Sequence, residues 1–163
     1  MNETDRNLAR TDLLNAVRDV PEAALRAQNE DGWSILHVLE HLYLMETALA
    51  ARVQQSMESP GGDAISPQPL QARVLDRSVK VKTPSSASPT GQFQTLDEAM
   101  ARLDHARQGL EAAVGTISQE DLYNHGFPHG FFGMLSIQQW LDIVALHERR
   151  HTAQIEEMKS NQM

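Results

Sequence analysis

No cysteine occurs among the 163 residues, which excludes disulfides, thiolate metal ligands and cysteine nucleophiles. Basic residues are also scarce. Lys plus Arg total 14 against 22 Asp plus Glu, a formal net charge of −8, and this argues against a general phosphate-binding surface for nucleic acid or anionic membranes. No uncharged apolar run reaches the length of about 18 residues that a membrane span needs. The start, Met1-Asn2-Glu3-Thr4-Asp5-Arg6, is charged and lacks the apolar core of a signal peptide. A cytoplasmic location is therefore expected. There is no internal repeat, low-complexity tract or collagen-like period. What remains is an ordinary globular mixture, 40% hydrophobic and 22% charged, with seven histidines. Its length suits a single domain over residues 1–163.

Hydrophobic periodicity predicts an all-α chain. Leu8, Leu13, Leu14 and Val17 have helical spacing over residues 4–18, and Pro21 ends or restarts that helix before a short piece at 22–28. Ser34 is a suitable N-cap for a helix running from Ile35 to about Met57, with Val38, Leu39, Leu42, Met45, Leu49 and Val53 on its stripe. A third stripe runs from Leu96 through Ile117, and a fourth helix is expected from a cap at Ser136 to about Lys159. Residues 59–95 hold five of the seven prolines, three glycines and six serines. They are expected to be a long crossover over the bundle or, in part, a mobile lid. Val79-Lys80-Val81-Lys82 alternates like a strand but is too short to decide anything, and residues 124–135 read as a loop. Four amphipathic helices with a long link between the second and third predict a four-helix bundle, in which those two helices can run parallel.

The histidines carry the chemical information. His147-Glu148-Arg149-Arg150-His151 sets two imidazoles four residues apart on one side of the last helix. Counted at about 100° per residue, both fall within the apolar stripe around Val144. Leaving two buried imidazoles without partners costs on the order of several kcal/mol, whereas a divalent metal takes neutral imidazole nitrogen directly. Core histidines satisfied by carboxylates or carbonyls are the plainer alternative. The same residues match the HExxH pattern of zinc proteases, with Glu148 as base. No HxxGxxH extension or further ligand-bearing helix follows in the 12 residues after His151, and that reading is set aside. On the second helix, His41 lies at the margin of the stripe and His37 points further towards solvent, which makes His41 the better third ligand. A four-histidine site would need His37 to swing inward. His105 sits in a polar stretch and is expected to be solvated. His125 and His129 flank Gly126-Phe127-Pro128 and are candidates to cap that loop or line a pocket.

The run Trp33-Ser34-Ile35-Leu36-His37-Val38-Leu39-Glu40-His41-Leu42 resembles the W-S-x-x-x-V-x-x-H-L signature of the DinB superfamily. Phe131-Phe132-Gly133-Met134-Leu135-Ser136, with Gln139-Trp140-Leu141 and His147-x-x-Arg150-His151-x-x-Gln154-Ile155, resembles the C-terminal block of the same superfamily. The resemblance implies a four-helix bundle holding one divalent metal on His41, His147 and His151. His129 matches the loop histidine of the family, although Gly130 stands where a proline usually follows. Arg150 and Gln154 also match the pattern and are expected to orient ligands or loops. The family includes thiol-dependent S-transferases, isomerases and members described as metal-dependent hydrolases, and its members are often dimers.

Three histidine ligands leave a coordination position open, the pattern of a catalytic site. That position suits a water whose pKa falls to about 7, or a thiol held as thiolate. A thiol cosubstrate would have to come from outside, since the chain has no cysteine. Glu148 is the candidate catalytic base, with Glu46 a second acidic candidate beside the site. Imidazole suits Zn, Ni, Cu and Fe, and Zn or Ni is expected. The expectation is therefore a metal-dependent enzyme, a thiol transferase or a hydrolase, acting on a small-molecule substrate as a homodimer. The competing expectation is a non-catalytic, metal-containing bundle with a binding or stress-associated role.

Overall fold

The structure, a computed structural model, describes residues 2–162. Four long helices dominate it: α1 (Glu3–Val17), α3 (Ile35–Ser56), α5 (Leu96–Val114) and α7 (Ile137–Asn161), with short helices α2 (Glu22–Arg26), α4 (Gln71–Leu75) and α6 (Gln119–Asn124) between them. Their starts follow local chemistry. The Ser136 hydroxyl accepts the Gln139 amide at 3.1 Å. At α3 the Ser34 hydroxyl accepts the amide of His37, while His37 Nδ1 accepts the amide of Ser34 at 2.9 Å. This is a reciprocal capping box with histidine in the place usually held by Glu. α5 stops at Gly115, short of the Ile117 expected from the stripe, because Ser118 starts a new helix by accepting the Asp121 amide.

Residues 124–135 are not simply a loop. Gly126–His129 (β1) and Gly133–Ser136 (β2) form an antiparallel hairpin in which Phe127 pairs with Leu135 and both are buried. Gly126 is obligatory there, since a Cβ would sit 2.0 Å from the Leu135 carbonyl oxygen. Two four-residue strands interrupted by proline and glycine are too short for alternation to reveal them. Val79–Lys82, by contrast, forms no strand.

Cross-helix contacts give the directions. Arg10 meets Glu148, and Lys159 reaches the Ala16 carbonyl, so α1 and α7 run parallel. Tyr43 contacts Phe93 and Arg102, and Glu46 contacts Arg107, so α3 and α5 also run parallel. The pairing of Arg6 with Glu111 and of Arg10 with the Leu103 carbonyl makes the two sets antiparallel. The parallel α3–α5 pair requires a crossover the length of the bundle, which residues 59–95 supply. That segment lies down on the bundle: α4 packs on α7, Leu70, Ala87 and Phe93 are buried, and Gln139 exchanges two 2.8 Å hydrogen bonds with the Gln68 backbone. No described helix is long and apolar enough to cross a membrane.

Among the described residues the core has three apolar clusters, the smallest of them Leu70, Leu135, Ile143 and Leu146. Of the two larger zones, one gathers Leu13, Val17, Ile35, Leu39, Leu103 and Ile155; the other gathers Leu49, Val53, Leu110, Ile137 and Leu141. Between them each long helix contributes one charge. Arg107 Nε lies 2.6 Å from Glu46 Oε1 and its Nη2 3.3 Å from Glu148 Oε1, while Arg10 Nη2 lies 3.0 Å from Glu46 Oε2 and 2.6 Å from Glu148 Oε1. Two cations and two anions balance in a buried layer. Removing one member leaves the others uncompensated, so Arg107→Ala is expected to destabilise the protein by about 3–5 kcal/mol, read from urea unfolding followed by circular dichroism.

Candidate metal centre

His41 on α3 and His147 and His151 on α7 meet on one side of the bundle. His147 Nε2 is 3.1 Å from His41 Nε2 and 3.1 Å from His151 Nε2. The ligand atoms of all three lie within 4.8 Å of one another. His41 and His151 are buried, at 3% and 8% exposure, while His147 keeps an exposed edge. The indole of Trp33 stands 5.3 Å from the His41 ring, tilted by 51° to it.

The outer nitrogens are committed. His41 Nδ1–H donates to the Ala87 carbonyl at 2.8 Å, and His151 Nδ1–H donates to Gln154 Oε1 at 2.7 Å. Each bond fixes the tautomer in which Nε2 is a bare lone pair directed at the cluster. His147 can place at most one proton among these nitrogens, so hydrogen bonding alone leaves a lone pair unsatisfied. A divalent cation satisfies all three. Nitrogens about 2.1 Å from a tetrahedral ion lie roughly 3.4 Å apart, close to the two 3.1 Å separations from His147 and within the 4.8 Å that bounds all three, so the donor set fits the ion the sequence implied.

Protonation is disfavoured as well. Burial, then the neighbouring His151 and His41, push the His147 imidazole well below its ordinary range. Burial and His41 push His151 down to about 3. Burial lowers His41 too, although the Ala87 carbonyl works the other way. All three are therefore neutral at pH 7, the form that ligates.

The remaining candidates fall elsewhere. His37 serves the α3 capping box. His105 is exposed. His129 accepts the Phe131 and Phe132 amides through Nδ1 at 3.0 and 3.3 Å and lies against Trp140. His125 is buried against Gly61, where an added Cβ would come within 2.9 Å of its ring.

Glu148, expected as a base at the metal, sits in the buried charge layer. Its Oε1 is held by Arg10 and Arg107, and its carboxylate is not among the groups drawn together with the histidines. The reason is angular. Glu148 follows His147 by about 100° on the helix, enough to turn it from the histidine face towards α1 and α5. Glu46 joins the same layer from α3.

Two residues that the histidine pattern did not single out hold the surroundings together. Glu40 binds the end of the crossover. Arg150, matched above only as part of a motif, binds the carbonyls of Val74, Asp76 and Val79. The sequence signal for Glu40 was an acid beside a ligand histidine in an otherwise apolar stretch of α3.

Fold and site together define a four-helix bundle whose two antiparallel core helices, α3 and α7, bring three histidines together with their nitrogens within 4.8 Å of one another. The model of the DinB superfamily matches residues 7–155, and the chain belongs to that superfamily. It is 29% identical over 154 residues to the uncharacterized protein YuaE of Bacillus subtilis (strain 168), covering 94% of both chains. Among solved structures it resembles TT2238, a four-helix bundle protein, at 27% identity, TM-score 0.62 and 94% coverage of each chain. It also resembles YfiT of Bacillus subtilis, described as "a probable metal-dependent hydrolase with an unusual four-helix bundle topology". There the identity is 18% and the TM-score 0.66, over 98% of this chain and 84% of that one.

His41→Ala, His147→Ala and His151→Ala are each expected to remove stoichiometric metal from the purified protein, while His37→Ala and His105→Ala retain it, as read by elemental analysis. Acid should destabilise the metal-free protein. His151 stays neutral in the fold down to about 3, whereas in the unfolded chain it takes up a proton near 6.5. Stability is thus complete above about pH 6.5 and declines as pH falls towards 3. Urea midpoints measured between pH 7 and 4 check the sign.

Proposed function

We propose that this protein is a metal-dependent hydrolase of a small-molecule substrate, with one divalent ion held by His41, His147 and His151. The observation that carries the reading is the convergence of three Nε2 atoms, two of them fixed as lone pairs by the Ala87 carbonyl and Gln154. A closed structural site has four protein ligands, and three leave a position for an exogenous group. Zn or Ni suits an all-imidazole set. When bound, such an ion supplies Lewis acidity that favours ionisation of a water or a thiol and polarises a carbonyl.

The chain's own residues do the rest. Buried His41 and His151 exclude solvent from the inner side, and the exposed edge of His147 leaves the opposite side for substrate. Glu148 has a different part in this reading: its bonds to Arg10 and Arg107 hold α7 at the height that places His147 and His151 against His41. The description of YfiT supports hydrolysis. Thiol transfer uses the same open position with an external thiol, and the family resemblance supports it as the second reaction. A cytoplasmic homodimer belongs to the same proposal.

Metal-loaded protein assayed on simple esters and amides, and on electrophiles with small thiols, tests the reading. Hydrolysis that disappears with chelator, returns with metal and is lost in His41→Ala is the expected result. Turnover only with a thiol present would make it a transferase. A cobalt-substituted protein whose spectrum ignores azide and thiols alike would mean a closed site, and the non-catalytic bundle would stand instead.

A further inference from the structure

Both helices that carry the histidines also carry a charged residue immediately before a ligand, and each of those charges grips the crossover. On α7 it is Arg150, just before His151. Its guanidinium donates to the carbonyls of Val74 at 3.0 Å, Asp76 at 2.7 Å and Val79 at 2.7 Å. On α3 it is Glu40, just before His41. Glu40 is fully buried, at 0% exposure. Its Oε1 accepts from the Thr90 amide at 2.7 Å, the Thr90 hydroxyl at 3.2 Å and Gln92 Nε2 at 3.2 Å; its Oε2 accepts from the Gly91 amide at 3.0 Å and the Gln92 amide at 3.2 Å. Three successive amides converge on one carboxylate because Gly91 adopts φ of 85°, a left-handed turn that glycine adopts without strain.

Ala87, three residues before Thr90 in the same gripped segment, supplies the carbonyl that holds His41 Nδ1–H. We propose that Glu40 is a positioning residue for the metal centre. By fixing residues 90–92 it fixes where the Ala87 carbonyl stands, and so the tautomer and ring orientation of His41. Arg150 anchors the other end of the same strap. The proposal rests on the metal reading above. A carbonyl on a crossover of this length and composition is an unreliable partner unless both ends are held, and an imidazole without that partner is free to rotate its lone pair away from the ion. A glutamine at position 40 keeps the size but sets an NH₂ group against amide donors, and so breaks the grip on one side.

Cobalt titration against a competing chelator, read by its visible spectrum, tests this on the full chain. Glu40→Gln is expected to bind cobalt about 10- to 100-fold more weakly and to show an altered spectrum. Hydrogen exchange at residues 84–92 should quicken in the loaded variant. Leu110→Ala, a destabilising change in the opposite apolar zone, should keep wild-type affinity and spectrum, which separates positioning from general loss of stability. Wild-type affinity and spectrum in Glu40→Gln would overturn the proposal while leaving the metal reading intact. Absence of cobalt binding by the unaltered protein would overturn both. Should Glu40→Gln fail to fold, Arg150→Gln takes its place: weaker binding with an altered spectrum supports the proposal, and unchanged binding overturns it.

Discussion

The charge layer formed by Arg10, Glu46, Arg107 and Glu148 sets the geometry on which the rest depends. Each long helix contributes one member, and the four carboxylate and guanidinium groups meet between the two larger apolar zones. Apolar packing alone tolerates a helix sliding by a turn, because one leucine substitutes for another. A buried carboxylate has no such freedom, since leaving its guanidinium strands a charge in a poor dielectric. The layer therefore fixes the relative heights of the helices. Glu46 lies five residues after His41 and Glu148 three residues before His151, so in an antiparallel pair the glutamates that share Arg10 and Arg107 set His41 and His151 within about 3 Å of one level.

At that level the chemistry changes from balanced charge to converging lone pairs. Two cations and two anions balance in charge, although Glu148 Oε2 is left without a hydrogen-bond partner; three neutral imidazoles have no such balance. Ala87 and Gln154 use the only protons that His41 and His151 possess when neutral, and burial resists a second proton on either ring. The cluster is thus complementary to a cation rather than to itself. His41 and His151 are buried, while His147 is the most exposed of the three and still largely covered.

The crossover is what the bundle topology imposes. Parallel α3 and α5 need a link running the bundle's length, and a link that long is costly to order unless it makes contacts. Here it is tied successively to Gln139, Arg150, His41 and Glu40. Three of those four residues are members of the histidine cluster or immediate neighbours of one. The segment with the least regular structure is therefore organised around the region of densest chemistry.

The four helices, their stripes and the caps at Ser34 and Ser136 were readable from local pattern, because periodicity and capping depend on near neighbours in the chain. So was the pair His147 and His151, whose spacing puts both on one helix face, and the preference for His41 over His37, which follows from angle alone. The two-strand hairpin was hidden by its length, proline and glycine. Glu46 and Glu148 looked like edges of their stripes, and Glu40 lies almost opposite the stripe of α3, a position that a helical wheel gives to solvent. Whether such a residue is exposed depends on what else is packed there. Arg10 and Arg107 arrive from other helices, and Thr90-Gly91-Gln92 arrives from a crossover some fifty residues along the chain. A single helix specifies which residues share a face; only the assembled chain decides whether that face meets water, an opposite charge or another backbone.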